Sequence, residues 1–102
     1  MQSEWLQRTE LLVKEEGIER LQSANILIVG LGGVGSFAAE FLVRSGIGNL
    51  TIVDGDTVDI TNINRQLPAL NSTIGKNKTD VVAERILDIN SEINLKKINE
   101  FL

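Results

Sequence analysis

Asn25-Ile26-Leu27-Ile28-Val29 runs directly into Gly30-Leu31-Gly32-Gly33-Val34-Gly35, and this stretch decides the fold. The first five residues form a continuous, β-branched, uncharged run, the pattern of a strand buried on both faces. The next six fit G-x-G-x-x-G. In that spacing one glycine makes the tight turn, one lets the backbone approach a phosphate, and one packs helix against strand. The motif gains its meaning from context: strand before it, helix after it. Without that context it is only a glycine-rich turn between buried elements.

The same alternation continues outward. Ser36 to Arg44 is rich in helix-compatible residues, with Ala38, Phe41 and Leu42 at helical spacing, and Gly46 and Gly48 end it. Leu50-Thr51-Ile52-Val53 reads as a second buried strand that stops at Asp54. Residues 55–75 form a polar connector holding the single proline, Pro68. Lys76 to Ile89 reads as a second helix, with Val82, Ile86 and Ile89 on one face. Ile93 to Leu102 reads as a third strand, interrupted by Lys96 and Lys97. Upstream, residues 1–24 form an arm; its mixed apolar and charged positions fit an irregular or helical segment broken near Gly17.

The order β-α-β-α-β predicts an α/β fold: one Rossmann-type half of a doubly wound, mainly parallel sheet, with an N-terminal helical arm. Residues 25–102 are its nucleotide-binding half. Right-handed crossovers place both helix N-termini at the carboxyl edge of the strands. A sheet of this size has incomplete cover, so we expect a piece of a longer domain, catalytically incomplete alone and associating rather than sedimenting as a clean monomer.

Composition narrows the chemistry. The 102 residues contain no cysteine and no histidine, which excludes disulfides, thiolate or imidazole metal sites, and a Cys or His nucleophile within them. A formal charge of −4 argues against a chain that coats nucleic acid by bulk attraction. No apolar run approaches the roughly 18 residues needed to cross a bilayer, and the polar, acidic start lacks a signal-peptide core. The chain reads as soluble and cytoplasmic, with no membrane association.

Asp54 lies nineteen positions beyond Gly35, at the end of the second strand. A carboxylate there accepts hydrogen bonds from ribose hydroxyls, although an Asp-Gly turn with Gly55 explains it as well. Asp56 fits ligand contact or a turn equally. A dinucleotide's pyrophosphate is held largely by backbone amides, whereas a triphosphate calls for cationic side chains and a metal. Arg65, in Asn62-Ile63-Asn64-Arg65-Gln66, and Lys78, one turn before Val82, both fall at the mouth of the site. The stem of Lys78 can run over apolar surface while its amine reaches the sheet edge. Adenylation of a carboxylate needs no general base, because the carboxylate is itself the nucleophile and the protein supplies alignment and charge stabilisation.

Four motifs in order, LIVGLGGVGS, LTIVDGDTV, NINRQ and GKNK, resemble the ATP-binding half of the ubiquitin-activating-type (ThiF-like) adenylating superfamily. The resemblance covers the chain from about Arg8 to its end. Within the superfamily, NRQLPALNSTIGKNKTDVVAERILDIN is most similar to the bacterial tRNA threonylcarbamoyladenosine dehydratases, which activate a carboxylate on a modified tRNA base with ATP and close it to a ring. The resemblance implies that Gly30, Gly32, Gly33 and Gly35 shape the phosphate loop, that Asp54 binds ribose, and that Arg65 and Lys78 contact phosphates. It implies that Asn64 and Gln66 help shape the site, and that Arg8 in WLQRTELL is donated into the site of a partner in a homodimer.

The family's cofactors are ATP and Mg2+, whose aspartate ligand falls beyond this chain, and no residue here is assigned to metal. The implied partner is tRNA; a sulfur carrier with its cysteine-desulfurase system is the alternative, if the chain activates a ubiquitin-like protein instead. Two readings of other kinds stay open: an NAD-binding oxidoreductase domain, for which Arg65 and Lys78 would be incidental, and a non-catalytic scaffold.

Overall fold

The computed structural model describes residues 4–102. Three five-residue strands, β1 (Asn25–Val29), β2 (Asn49–Val53) and β3 (Asn94–Ile98), form one parallel sheet in the order β1-β2-β3. Pairing is in register throughout: Ile26 lies opposite Leu50, and Leu50 opposite Leu95. Three helices accompany them: α1 (Gln7–Ser23), α2 (Gly33–Arg44) and α3 (Lys78–Ile89). This is the β-α-β-α-β unit expected, preceded by a helical arm.

The core lies between the sheet and the pair α2 and α3, which pack against each other. Leu50 and Ile52 of β2 meet Ala39 and Val43 of α2 and Val82, Ala83 and Ile86 of α3, all at most 4% exposed. A second tie is electrostatic. Arg85 on α3 grips Glu40 on α2 through both carboxylate oxygens at 3.0–3.2 Å, while Arg44 adds a bond of 2.9 Å from the same helix. Burial raises the Glu40 pKa, but the Arg44 and Arg85 hydrogen bonds and charges outweigh it and hold the carboxyl below its usual range.

Several boundaries differ from the sequence reading. β1 is half exposed, because Ile26 and Ile28 face the helices while Leu27 and Val29, 61% and 51% exposed, face away. A continuous apolar run cannot distinguish the central strand of a covered sheet from its edge. α2 starts at Gly33 rather than Ser36, so two loop glycines, Gly33 and Gly35, lie inside the first turn, and at Gly35 the Gly30 carbonyl leaves no room for a larger residue. Its buried face is Ser36, Ala39 and Val43, one position off the expected set, and Phe41 is exposed.

α3 starts at Lys78 because Thr57 and Asn77 form an antiparallel bridge that holds the preceding residues extended. Val82 and Ile86 are buried as expected. β3 ends at Ile98, and its lysines do not interrupt it: on an edge strand with an open face, charged side chains reach solvent. The arm is broken at Lys14 (φ 65°, ψ 173°), not at Gly17, which stays helical beneath Val13.

Candidate functional site at the carboxyl edge

The turn after β1 is fixed before any side chain contributes. Gly30 adopts φ +89°, a conformation that side-chain-bearing residues rarely take. A Cβ on Gly35 would collide with the Gly30 carbonyl oxygen, so the loop can fold back against α2 only if that position is glycine. Ser36, buried beneath, donates its hydroxyl to the Gly32 carbonyl at 2.6 Å and tightens the helix start. The backbone amides of Gly32, Gly33, Val34 and Gly35 have no acceptor among the described residues. Unpaired N–H groups with the positive end of a twelve-residue helix behind them make an anion-binding surface.

Asp54 follows β2 and clamps this loop. Its Oδ2 accepts from the Leu31 amide at 2.7 Å and its Oδ1 from the Asp56 amide at 2.7 Å. A carboxylate oxygen accepts more than one hydrogen bond, so lone pairs remain for a ligand hydroxyl. The geometry therefore adds a loop-fastening task to the ribose role expected from sequence. Asp56 contributes through its backbone: its amide reaches Asp54 and its carbonyl accepts from the Lys78 amide at 3.0 Å. Its side chain is exposed.

The connector supplies the cations. Asp59 and Asn62 form a reciprocal capping box around the 3-10 turn Ile60–Asn62. That turn brings the next residues against the glycine loop: the Arg65 carbonyl and the Gln66 side-chain amide both lie within 4 Å of where a Cβ on Gly33 or Gly32 would sit. Gln66 Oε1 is buried without a hydrogen-bond partner. The Arg65 guanidinium is exposed and folds back to donate to the Thr61 carbonyl and to Asn64 Oδ1, at 3.2 and 3.0 Å.

Lys78 is 5% exposed, and its amine makes no hydrogen bond or ion pair among the described residues. Its charge is felt at Asp59, whose carboxyl is held below its usual range by the Thr61 amide and hydroxyl first and by Lys78 last. Lys78 and Asp59 thus lie near enough for their charges to interact.

The structure brings together Gly30, Gly32, Gly33, Gly35, Asp54, Asn64, Arg65, Gln66 and, through Asp56 and Asp59, Lys78 at one edge of the sheet. It does not bring Arg8 there. Leu6, two residues before it, packs on Gly46 at the opposite edge, and Arg8 is exposed on the first turn of α1. The sequence reading missed Asp59 and Asn62, although the D-x-x-N spacing is a capping signature. Among the described residues no group of three or more carboxylates, histidines or cysteines is placed to hold a metal ion. No helix among them is long and apolar enough to cross a membrane.

The fold and site define a Rossmann-type α/β domain with a glycine loop and two basic side chains at the carboxyl edge of its sheet. The chain belongs to the ThiF family, whose profile matches residues 6–102. It is 51% identical over 94 residues to the tRNA threonylcarbamoyladenosine dehydratase of Bacillus subtilis (strain 168), covering 92% of this chain and 37% of that protein. The crystal structure of the E. coli dehydratase of the same name, in complex with ATP, superposes with a TM-score of 0.92 at 43% identity, covering 99% of this chain and 43% of that one. The molybdopterin-synthase adenylyltransferase of Escherichia coli (strain K12) is 38% identical over 87 residues, covering 85% of this chain and 35% of that protein. The chain thus spans somewhat more than a third of the length of these curated relatives.

Proposed function

We propose that this chain is the nucleotide-binding part of an ATP-dependent adenylating enzyme that activates a carboxylate, its substrate being threonylcarbamoyladenosine in tRNA, which it dehydrates to a cyclic form. The observation that carries the reading is Lys78, a largely buried residue whose amine has no hydrogen-bond partner among the described residues, at the start of α3 on the same edge as four unpaired loop amides. An amine without a hydrogen-bond partner beside unpaired backbone N–H groups is available to an anion, and a nucleotide polyphosphate supplies one. Likeness to a dehydratase solved with ATP and to one solved with AMP supports the same ligand class.

In this reading the amides of Gly32 to Gly35 receive phosphate oxygens and Asp54 receives the ribose. Arg65, released from Thr61 and Asn64, swings with Lys78 onto the phosphates. ATP supplies an α-phosphorus for the carboxylate to attack and pyrophosphate as the leaving group. The chain's part is to hold those groups in line and to spread the charge that develops on the leaving oxygens. Mg2+, where bound, would add to that neutralisation, and none of the residues named here is assigned to hold it. Gln66, with its carbonyl oxygen unsatisfied beside Gly32, shapes the floor of the phosphate site. Arg8 acts on the site of a second copy, since its own site lies at the far edge of the sheet.

ATP–pyrophosphate exchange, measured on the full-length protein, tests the substrate. Stimulation by tRNA bearing threonylcarbamoyladenosine supports the proposal. Stimulation instead by a small sulfur-carrier protein ending in glycine transfers the chain to the sulfur-carrier-activating branch.

A further inference from the structure

We infer that Asp59 is a positioning residue of the nucleotide site: it holds the turn that sets where Arg65 and Gln66 stand relative to Lys78. The inference rests on the ATP reading above and extends it to a residue outside the glycine loop and the two cations.

The connector between β2 and α3 delivers two basic residues to one sheet edge with little regular structure of its own. It contains one 3-10 turn, Ile60–Asn62, and one side of the bridge between Thr57 and Asn77. A three-residue 3-10 turn is too short to hold itself. Asp59 holds it. Its Oδ1 accepts from the Thr61 amide at 2.9 Å and from the Thr61 hydroxyl at 2.8 Å. Its own amide donates to Asn62 Oδ1 at 2.9 Å, and its carbonyl accepts from the Asn62 amide at 2.9 Å. One residue thus closes the turn at both ends.

That turn in turn holds the site. Asn62, 8% exposed, presents its carbonyl to the amides of Arg65 and Gln66 at 3.1 and 2.9 Å. The Thr61 carbonyl accepts from the Arg65 guanidinium at 3.2 Å. Apart from the contact with Asn64, the hydrogen bonds of Arg65 among the described residues end on the two residues that Asp59 holds.

On its other side Asp59 adjoins a strip bonded to the start of α3. The Val58 amide donates to the Lys76 carbonyl and the Val58 carbonyl accepts from the Gly75 amide, both at 2.8 Å. The Asp56 carbonyl accepts from the Lys78 amide at 3.0 Å. Asp59 is the joint between the strip fastened to Lys78 and the turn fastened to Arg65. A change there alters the spacing of the two cations without touching either. Two cations grip one polyphosphate only when their spacing matches it, and a misplacement of about 1 Å costs up to a hundredfold at such sites.

Acceptor geometry, not charge, is the agent. The Thr61 amide and hydroxyl act first on the Asp59 carboxyl and Lys78 last, and at an exposed position solvent screens that charge.

The test is ATP affinity by calorimetry on the full-length protein, with thermal melting in the absence of nucleotide as the folding control. Asp59→Asn keeps the acceptor and loses the charge. Asp59→Glu keeps the charge and displaces the acceptor by one methylene, and Asp59→Ala removes both. The inference predicts nearly unchanged affinity for Asp59→Asn and about tenfold weaker binding for Asp59→Glu and Asp59→Ala. In an Arg65→Ala background either of the last two should cost less than about twofold more, because the residue they displace is gone. Equal losses in Asp59→Asn and Asp59→Ala, with none in Asp59→Glu, overturn the inference and make Asp59 a counter-charge for Lys78. A loss as large in the Arg65→Ala background as without it also overturns the inference, since general loosening of the connector does not depend on Arg65. If Asp59→Ala does not melt cooperatively, Asp59→Glu carries the same cycle. An unsubstituted protein that binds no ATP removes the ATP reading and this inference with it. ATP binding that needs Arg65 but ignores Asp59 removes this inference alone.

Discussion

The glycine loop and the N-terminal arm differ in what holds them. The loop is fastened entirely within the chain: Gly30 turns, Gly35 yields space to a carbonyl, Ser36 holds Gly32, and Asp54 holds Leu31 and Asp56. The arm is anchored at its two ends, through Leu6 and Ile18, and leaves its middle in water. A region whose geometry is set by its own backbone is preorganised before any ligand arrives. A region with exposed leucines at a bend has no such internal fastening among the described residues.

The sharpest way to break that contrast is Gly35→Ala. The added methyl meets the Gly30 carbonyl, so either the loop or α2 must move, and we expect a loss on the order of 3 kcal/mol in urea unfolding, the cost of overpacking a site with no give. Lys78→Ala comes next and acts on binding. Loss of a charged hydrogen bond predicts roughly tenfold to hundredfold weaker nucleotide binding. Stability without nucleotide should fall only by the packing of the buried stem, about 1 kcal/mol, and Lys78→Met, which keeps that stem, should weaken nucleotide binding alike while restoring stability; recovery of binding in Lys78→Met would show that Lys78 serves the fold instead.

The Glu40–Arg85 tie behind the loop gives a smaller effect. The arginines are 55% and 40% exposed, so solvent screening limits Arg85→Ala to about 1 kcal/mol. The folded-state pKa of Glu40 is lowered, so its contribution is present above the ordinary value of 4.5 and disappears as pH falls through the lowered one. The stability gap between the unsubstituted chain and Glu40→Gln should therefore be open near neutral pH and close in acid; a gap that persists in acid would mean that packing, not charge, ties the helices. Smallest is Leu12→Asp, which should change unfolding free energy by less than about 0.5 kcal/mol, because the side chain is already in water.

The same contrast explains what was legible in the sequence. The loop was readable because its requirements are local: a strand, three spaced glycines and a helix leave one way to turn, and Asp54 falls where the second strand must end. Lys78 was readable from helical spacing with Val82. The break at Lys14 was not, because glycine is the residue that ordinarily marks a break, whereas Gly17 here serves to let Val13 pack close. The half-open state of β1 was equally hidden, since NILIV has the same pattern whether one face or two are covered. The Glu40–Arg85 tie joins residues 45 positions apart, a relation that no local pattern contains. The burial of Lys78 emerges only when Asp56 and the Thr57–Asn77 bridge place the start of α3.

The most direct measurement is a calorimetric titration with Mg-ATP and, separately, with NAD, on the unsubstituted protein and on Arg65→Ala and Lys78→Ala. The account predicts that ATP binds more tightly than NAD and that each substitution weakens ATP. Tighter binding of NAD, unaffected by either substitution, would contradict it, leaving the glycine loop as a dinucleotide site and the two cations as bystanders.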